Sequence, residues 1–380
     1  MIPLGVYMGA NIDRRARLAK AIEELRKITK KQDIAFLLSE NSYWGQVDVV
    51  PTGYLGFDLS TMVGGIPRGR VIEIFGPEGS GKTSLALAIA KAFQGANGVI
   101  FYVDMEQSLN LDSVLSMGID PDGIAVSQPD SGEEALESIR HLVLKDSVDL
   151  VILDSIAALG FRAEMEKDYG ESSVGLSARI LSTFFRTISP MISRRRVTLL
   201  LINQLRQKIG VTYGEKETTP GGLAIRYYSS MRIDVRRTSN DSYLDSLIKD
   251  GKILGGHTVS IRFVKNKFGI SPNYSKLSLN LIYGQGFDPY SDLVEQALKH
   301  EVFSQSGSWI EAFGKKFQGR ASLIEVLRED KELFDKTRKA VVARFVQEME
   351  KYRTVVPGGS LEEDNGGVDG GSYEDGEVEV

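Results

Sequence analysis

The feature of this sequence that most constrains its fold is a glycine-rich loop at residues 76–83. An apolar run, Val71–Phe75, precedes the loop, and a segment with helical periodicity, Leu85–Ala90, follows it. The loop matches the pattern G-x-x-x-x-G-K-S/T and consists of Gly76, Pro77, Glu78, Gly79, Ser80, Gly81, Lys82 and Thr83. The pattern therefore stands in the strand, loop and helix context that it needs, which argues against a chance match.

The residue types of this loop predict a phosphate-binding site. Glycines let the backbone curl so that successive N–H groups point at phosphate oxygens, and the helix that opens at Lys82 adds the positive end of its dipole. Lys82 then reaches the β- and γ-phosphates, while the Thr83 hydroxyl ligates Mg²⁺. We therefore expect the chain to bind a nucleoside triphosphate.

The composition is that of a globular protein and excludes several other classes of site. The chain has 380 residues, 42% of them hydrophobic and 26% charged, which is long enough for about two or three domains. It has no cysteine, so disulfides and thiolate zinc sites are excluded. Its three histidines, His141, His257 and His300, are too scattered to suggest a metal cluster, so any metal is expected to be Mg²⁺ that arrives with the nucleotide.

The two ends of the chain give weaker indications. The N-terminus lacks the basic region of a signal peptide, and no apolar run approaches the length of about 18 residues that a bilayer needs, so we expect a cytoplasmic protein. Net charge is −5, but residues 361–380 hold eight acids and no base, which leaves +3 for the rest. The glycine-rich, acidic segment Gly358–Val380 should be disordered. It either improves solubility or competes for a basic DNA-binding face.

Three further strands are predicted to end in polar side chains at one edge of a sheet. They are Val99–Asp104, which leads to Glu106, then Asp149–Asp154 and Val197–Gln204. Because the strands alternate with helical segments, we expect a parallel α/β sheet with its ligands at the carboxyl ends of the strands. Asp154 is then either an acid that orients the metal or the N-cap of the next helix. Glu106 is either the base that polarises the attacking water or a surface acid. Gln204 either contacts the γ-phosphate or hydrogen-bonds to the backbone.

Two long irregular segments are candidates for functional loops. The first is Phe161–Glu171, and the second, Leu205–Thr219, directly follows Gln204. The second combines cations with apolar and aromatic side chains: Arg206, Lys208, Lys216, Ile209 and Tyr213. Such a mixture suits single-stranded nucleic acid, although a basic flexible loop is more often merely solvated.

The flanking parts of the chain have their own patterns. Ile12–Lys31 is predicted to be a basic helix with a narrow apolar stripe, which packs either on its own domain or on a neighbouring subunit after the connector Gln32–Val47. Met231–Arg237, Val259–Lys265 and Leu277–Ile282 are predicted to be antiparallel strands that extend the sheet. From Asp288 onward helical patterns return, with a basic, aromatic patch at Trp309, Lys315, Lys316, Phe317 and Arg320.

An ordered series of motifs resembles the bacterial RecA recombinases. Besides the loop at 76–83, the series contains Asp154–Leu159, Asn203–Val211, Glu217–Gly222 and Val264–Lys267, and the similarity runs from about Pro51 to Phe345. The resemblance implies an α/β fold: a RecA-like P-loop ATPase core with a mainly parallel twisted sheet flanked by helices, an N-terminal helix and a small α+β C-terminal domain. The expected parts are residues 1–47, an oligomerisation helix and linker; 48–287, the ATPase core with its DNA-binding loops; 288–357, the C-terminal domain; and 358–380, a disordered acidic tail.

The resemblance implies a DNA-dependent ATPase that forms helical filaments on single-stranded DNA, pairs it with homologous double-stranded DNA and exchanges strands. ATP and Mg²⁺ are its expected cofactors. The implied catalytic residues are Glu106, Lys82, Gln204, Lys265 and Lys267, with the two last lysines reaching the ATP of a neighbouring protomer; the implied metal contacts are Thr83 and, through water, Asp154. The implied DNA contacts are Arg162, Arg179, Arg206, Lys208, Ile209, Gly210, Tyr213, Gly221 and Gly222.

The chain departs from the family at the expected adenine contact. Asn110, which we count among the nucleotide-binding residues, and Ser113 stand where the family commonly has aspartate and tyrosine, so the strictness for ATP is left open. Alternative functions are a DNA-bound scaffold with slow hydrolysis and a ring helicase with the same core. Candidate partners beyond DNA and the filament itself are a single-strand binding protein, loader proteins and a LexA-type repressor, and the expected location is the cytoplasm, in association with the nucleoid.

Overall fold

The computed structural model describes residues 5–31, 34–35, 47–165, 175–207, 217–238, 248–249, 252–253, 255–269 and 271–355. Its helices in these ranges are α1 Gly5–Thr29, α2 Leu55–Ser60, α3 Lys82–Gly95, α4 Leu111–Ser116, α5 Gly132–Leu144, α6 Arg162–Met165, α7 Leu176–Arg195, α8 Gly222–Tyr228, α9 Pro289–Lys299, α10 Gly319–Glu329 and α11 Lys331–Val355. Short 3₁₀ turns occur at Pro121–Gly123 and Ile156–Ala158.

The strands of the same ranges belong mainly to one large sheet. They are β1 Val49–Val50, β2 Ile66–Pro67, β3 Val71–Gly76, β4 Ile100–Asp104, β5 Ile124–Ser127, β6 Leu150–Asp154, β7 Thr198–Gln204, β8 Arg206–Gln207, β9 Glu217–Thr218, β10 Met231–Arg237, β11 Ile248–Lys249, β12 Lys252–Ile253, β13 Gly256–Asn266, β14 Lys276–Ile282, β15 Gly286–Phe287, β16 Ser304–Ser306, β17 Trp309–Ala312 and β18 Lys315–Gln318. Within the described ranges, nine of them form a sheet in the order β15-β14-β13-β10-β3-β7-β6-β4-β5.

The central strands of this sheet are parallel, as the sequence predicts. β3 lies between β10 and β7, and β6, β4 and β5 follow in the same direction. β3, β4, β6 and β7 are nearly all buried runs of apolar residues, which is typical of strands covered on both faces. The predicted fold class is therefore confirmed, and the predicted strand starts at Val99, Asp149 and Val197 each lie one residue early.

The expectation for the last three core strands is only partly correct. β13 and β14 are antiparallel extensions of the sheet, as expected. The strand Met231–Arg237, however, is parallel to β3 on one side and antiparallel to β13 on the other. Its direction depends on α8, which carries the chain back across the sheet before β10 starts, and no local pattern encodes that crossover.

Apolar side chains cover both faces of the sheet. On one face α3 and α4 pack on alternate strand residues such as Ile72 and Ile74. On the other face α5, α7 and α8 pack on a second set, which includes Leu199 and Leu201. The sheet is thus the middle of three layers, and the carboxyl ends of its parallel strands are free to form a site.

The segment after β15 builds an apolar cluster that it shares with α2. α9, α10 and α11 surround Leu293, Leu323 and Leu327, and Leu55 and Leu59 of α2 belong to the same cluster. A polar contact reinforces this junction, because the backbone N–H of Gly56 donates to the buried Asp292 carboxylate at 2.9 Å. The predicted domain boundaries themselves stay a prediction.

The N-terminal helix leaves its apolar stripe exposed. The helix begins at Gly5, seven residues before the predicted start, and Leu18, Leu25 and Ile28 are 52%, 39% and 79% exposed. The predicted connector Gln32–Val47 falls mostly outside the described residues, as does the acidic tail after Val355. In the part of the chain that the structure describes, no helix is both long and apolar enough to cross a membrane.

Candidate nucleotide site and its surroundings

The glycine-rich loop connects β3 to α3 as predicted. β3 ends at Gly76 and α3 begins at Lys82. Gly79 and Gly81 have φ angles of +66° and +96°, a region that residues with a side chain adopt at a cost. Gly76 is required for another reason: a Cβ atom there would lie 2.0 Å from the carbonyl oxygen of Val235 in the neighbouring strand β10.

Two polar side chains of the loop fit a bound phosphate group. Lys82 is largely buried, and its Nζ donates to the carbonyl oxygen of Pro77 at 2.7 Å, so the ammonium is folded over the loop. Burial lowers the pKa of Lys82, while the carboxylates of Asp154 and Glu106 oppose that effect. The Ser80 hydroxyl is buried and has no hydrogen-bond partner among the described residues. A cation and an unsatisfied donor beside a curled backbone are what an anion needs.

The predicted metal residues meet at the start of α3. The Thr83 hydroxyl donates to Oδ2 of Asp154 at 3.0 Å, and the Tyr102 hydroxyl donates to the same oxygen at 2.6 Å. Burial raises the pKa of Asp154, and these two hydrogen bonds act against that rise. Ser155 occupies the N-cap position of the following 3₁₀ turn, so the alternative role of Asp154 as a helix cap is wrong. A threonine hydroxyl beside a carboxylate provides hard oxygen ligands of the kind that Mg²⁺ prefers.

The ends of β4, β6 and β7 bring a second group of polar side chains together. Oε1 of Glu106 accepts a hydrogen bond from Nε2 of Gln204 at 2.8 Å and another from the Ser155 hydroxyl. Glu106 itself is exposed. The turn that carries it is held by the fully buried Asp104, whose carboxylate accepts the N–H groups of two following residues, among them Leu109 at 3.1 Å. The structure thus places Glu106 and Gln204 together, beside the loop.

Sequence reasoning missed three side chains of this group. Tyr102, Asp104 and Ser155 orient Asp154 or Glu106, yet none of them was singled out as a site residue. A usable signal exists for Asp104, since a charged residue closes an otherwise apolar strand. Tyr102 and Ser155 gave no such signal, because their partners come from a different strand or a different loop.

Lys265 and Lys267 lie away from this site. Because β13 runs antiparallel to β10, Lys265 is level with Arg232 and, across the next strand, with Glu73. Its Nζ donates to the carbonyl oxygens of Arg226 and Tyr227 at the end of α8. Burial, with the neighbouring Lys267 and Arg232, lowers its pKa. The structure therefore brings neither lysine to the glycine-rich loop of its own chain.

Asn110 has a local structural role. It is the N-cap of α4, and its Oδ1 accepts the N–H of Ser113 at 2.7 Å. Both residues are exposed. The capping interaction uses the side-chain oxygen and does not involve the NH₂ group of the amide.

The predicted DNA contacts are described in part. Arg162 opens α6, Arg179 lies on α7 and Arg206 lies on β8, and all three are exposed. Gly221 and Gly222 have φ angles of +90° and +71° and start α8, where Gly222 approaches Ala178 of α7. Lys208, Ile209, Gly210 and Tyr213 fall outside the described residues, as does all of the first loop after Met165.

A cleft of about 590 Å³ lies beside the base of the second loop. β9 and α8 form one side of it, and strands β10 and β13 form the other. Most of its cations are paired: Arg232 with Glu73, and Arg236 with both Glu217 and Asp234. Its lining residues are Phe75, Leu205, Glu217, Thr218, Thr219, Arg226, Arg232, Asp234, Arg236, Arg262 and Val264.

Comparison with known proteins gives one consistent result. The family model described as the RecA N-terminal domain matches residues 16–288. Protein RecA from Thermus aquaticus is 43% identical over 301 residues, which cover 79% of this chain and 86% of that protein. Protein RecA from Bdellovibrio bacteriovorus is 37% identical over 335 residues, which cover 88% and 86% of the two chains.

The chain belongs to the RecA family.

RecA proteins are DNA-dependent ATPases and recombinases, and the function expected from the sequence follows from this membership. The protein forms filaments on single-stranded DNA and carries out homologous pairing and strand exchange in recombination and repair. The matched range includes the glycine-rich loop and the ends of β4, β6 and β7, so the RecA domain contains the whole site described above.

Proposed function

We propose that this RecA protein binds ATP with Mg²⁺ at the glycine-rich loop and hydrolyses it with Glu106 as the general base. The observation that carries the proposal is the contact of Glu106 with Gln204 beside a loop whose Thr83 is already bonded to Asp154. Thr83 and, through water, Asp154 would hold the metal. When bound, Mg²⁺ neutralises charge on the phosphate oxygens.

Lys82 supports this proposal by its position and its burial. Its ammonium is held at the loop by the Pro77 carbonyl, from which it can turn to the β- and γ-phosphate oxygens. Ser80 offers an unused hydroxyl to the same phosphates. The residues that would cradle the triphosphate are Gly76, Pro77, Glu78, Gly79, Ser80, Gly81, Lys82 and Thr83, and Asn110 would contact the base.

Glu106 has the surroundings that a general base for water requires. It is exposed, so water reaches it, and two hydrogen bonds from Gln204 and Ser155 fix the same oxygen. The second oxygen is then the one that accepts the proton of the attacking water. Gln204 would exchange its bond to Glu106 for one to the γ-phosphate, and so report the presence of ATP to the loop that follows β7.

The filament completes the site in this proposal. Because Lys265 and Lys267 lie away from the loop of their own chain, they would serve the ATP of the neighbouring protomer, where a charge supplied across the interface stabilises the transition state. The exposed stripe Leu18, Leu25 and Ile28 of α1 would dock on that neighbour. Single-stranded DNA would contact Arg162, Arg179, Arg206, Lys208, Ile209, Gly210, Tyr213, Gly221 and Gly222.

The setting of the protein is part of the same proposal. We place it in the cytoplasm in association with the nucleoid, where a single-strand binding protein, loader proteins and a LexA-type repressor would be its further partners. Positively charged and apolar side chains without a base-reading pattern suit a protein that leaves sequence specificity to base pairing.

The Glu106→Gln variant tests the assignment of the base. It should keep ATP-dependent binding to single-stranded DNA, and its DNA-dependent hydrolysis should fall by about 10² or more. The matched control is Glu137→Gln, because Glu137 is an exposed acid on α5, where it pairs with Arg140 in an i,i+3 arrangement. Hydrolysis at the wild-type rate in Glu106→Gln would rule out Glu106 as the general base.

A further inference from the structure

A carboxylate lies in the interior of the central strand. Glu73 is the third residue of β3, it is 0% exposed, and it is on the face of the sheet that α7 and α8 cover. Acids are almost never fully buried unless they are paired, because removing the charge from water is costly. The partners of Glu73 should therefore show what it does.

Both oxygens of Glu73 are engaged, and they connect two different strands. Oε1 accepts a hydrogen bond from Nδ2 of Asn203 in β7 at 3.0 Å. Oε2 accepts one from Nε of Arg232 in β10, at 2.5 Å. Arg232 is directly opposite Glu73 in the sheet register, and its guanidinium also stacks on the Phe75 ring. Glu73 thus bridges the strand that leads to Gln204 and a strand that lines the cleft.

Asn203 is fully buried, and each end of its amide has a partner. Nδ2 donates to Glu73 and also to the carbonyl oxygen of Pro220 at 3.0 Å, and Oδ1 accepts the N–H of Gln204 at 3.0 Å. Both oxygens of Glu73 accept hydrogen bonds, so the NH₂ end of the Asn203 amide is the end that points toward Glu73. The oxygen is then left for Gln204.

These contacts form a connected series that passes through Gln204 itself, whose side chain donates to Glu106 and whose backbone N–H donates to Asn203. It runs from Glu106 through Gln204 and Asn203 to Glu73, and from there to Arg232. Through the Pro220 contact it also reaches the end of the loop that starts after Gln204. Asn203 and Glu73 are the fully buried members of this series, and buried polar groups whose hydrogen bonds are satisfied are held in one arrangement.

We propose that Glu73 is a positioning residue that orients Asn203, and thereby couples the nucleotide contact of Gln204 to the Pro220 end of the DNA-binding loop and to Arg232 in the cleft. The inference rests on the proposed function of Gln204. Gln204 contacts Glu106 through its side chain and Asn203 through its backbone N–H, so a rearrangement of Gln204 would reach Pro220 through the Asn203 amide that Glu73 holds.

The test measures coupling and stability separately. Coupling is the ratio of oligothymidylate dissociation constants without and with a nonhydrolysable ATP analogue, measured by fluorescence anisotropy. Glu73→Gln should lower this ratio by about 10-fold. The matched control is Asp234→Asn, because Asp234 is another buried acid of the sheet and, among the described residues, its ion pairs are with Arg236 and Arg262 and none of its hydrogen bonds is with Asn203. The control should keep the wild-type ratio.

A double variant separates positioning from mere stabilisation. Glu73→Met with Arg232→Met removes both charges, and replacing a buried ion pair by apolar groups of similar size is often neutral for stability. If Glu73→Gln fails to fold, coupling is measured in the double variant instead. Its thermal melting should resemble that of the wild type, while coupling should stay lost. Amide hydrogen exchange of the nucleotide-free protein around Gln204 should be faster than in the wild type.

The outcomes are distinct. Wild-type coupling in folded Glu73→Gln, or in the double variant, would overturn the inference, because stability alone would then explain the contacts of Glu73. Slower or unchanged exchange around Gln204 in the double variant would overturn it as well. If the wild-type protein itself showed no effect of the ATP analogue on oligothymidylate binding, the proposed role of Gln204 would fail first, whatever the variants do.

Discussion

The first glycine of the loop provides a prediction whose size can be worked from the structure. A Cβ atom in Gly76→Ala would lie 2.0 Å from the Val235 carbonyl oxygen, whereas carbon and oxygen normally approach to about 3.3 Å. The conflict is with backbone, so β3 and β10 must separate by about 1 Å in the middle of the sheet. Forced overpacking costs about 1–3 kcal/mol, and a backbone clash belongs at or above the upper end.

Gly79→Ala is the matched comparison within the same loop. Among the described residues, no heavy atom lies within 4 Å of a Cβ at Gly79, so the positive φ angle of +66° is what opposes the change. That conformation costs an L-residue about 1–2 kcal/mol. We therefore expect Gly76→Ala to lose about 1–2 kcal/mol more stability than Gly79→Ala, or a larger amount.

Thermal unfolding followed by circular dichroism, without nucleotide, measures this difference. Gly76→Ala should melt several degrees below Gly79→Ala, because each 1 kcal/mol moves the melting temperature of a chain this large by about 2–4 °C. Equal melting temperatures, or a Gly76→Ala protein as stable as the wild type, would refute the close approach of Gly76 to β10 as the reason for this glycine.

Three further predictions concern the site and the junction below it. Lys82→Ala should lose ATP-dependent binding to single-stranded DNA in an anisotropy assay, and wild-type binding would refute its phosphate contact. Tyr102→Phe removes a hydrogen-bond donor to Asp154 and so favours protonation of the Asp154 carboxylate. Titration calorimetry should then show weaker Mg²⁺ binding in the presence of ATP. Unchanged Mg²⁺ binding would exclude an effect of Tyr102. Burial raises the pKa of Asp292 to about 7 from 3.8. A raised folded-state pKa gives stability that is complete below about pH 4 and lost as pH rises through 7, by up to about 4 kcal/mol. Asp292→Asn should therefore be less sensitive to pH in urea unfolding between pH 5 and 8, and an unchanged pH dependence would contradict the raised pKa of Asp292.

Much of the core could be predicted from local patterns. The loop at residues 76–83, the apolar strands around it and their polar ends are short-range features, and strands of a parallel sheet necessarily end at one edge. The meeting of Glu106 with Gln204 followed from that rule. The resemblance to known recombinases added Lys265 and Lys267, which no pattern of residues in the chain would have linked to a nucleotide.

The remaining features depend on register between distant strands. The direction of β10, the approach of Gly76 to Val235 and the bridge from Glu73 to Arg232 all arise because β10 packs beside β3, more than 150 positions later in the chain. A local pattern assigns Gly76 to phosphate binding, while the structure shows that it is also required for strand packing. Likewise, Glu73 looks like an interruption of an apolar strand until its partners are known.

The central claim is that ATP binding at the loop drives homologous strand exchange. The most direct measurement mixes the protein, a single-stranded oligonucleotide, ATP and Mg²⁺ with a dye-labelled homologous duplex, and follows release of the displaced strand by fluorescence. We predict release with the homologous duplex and none with a heterologous duplex of equal length. Binding to DNA and hydrolysis of ATP without any homology-dependent release would contradict the claim and leave a filament that acts only as a scaffold.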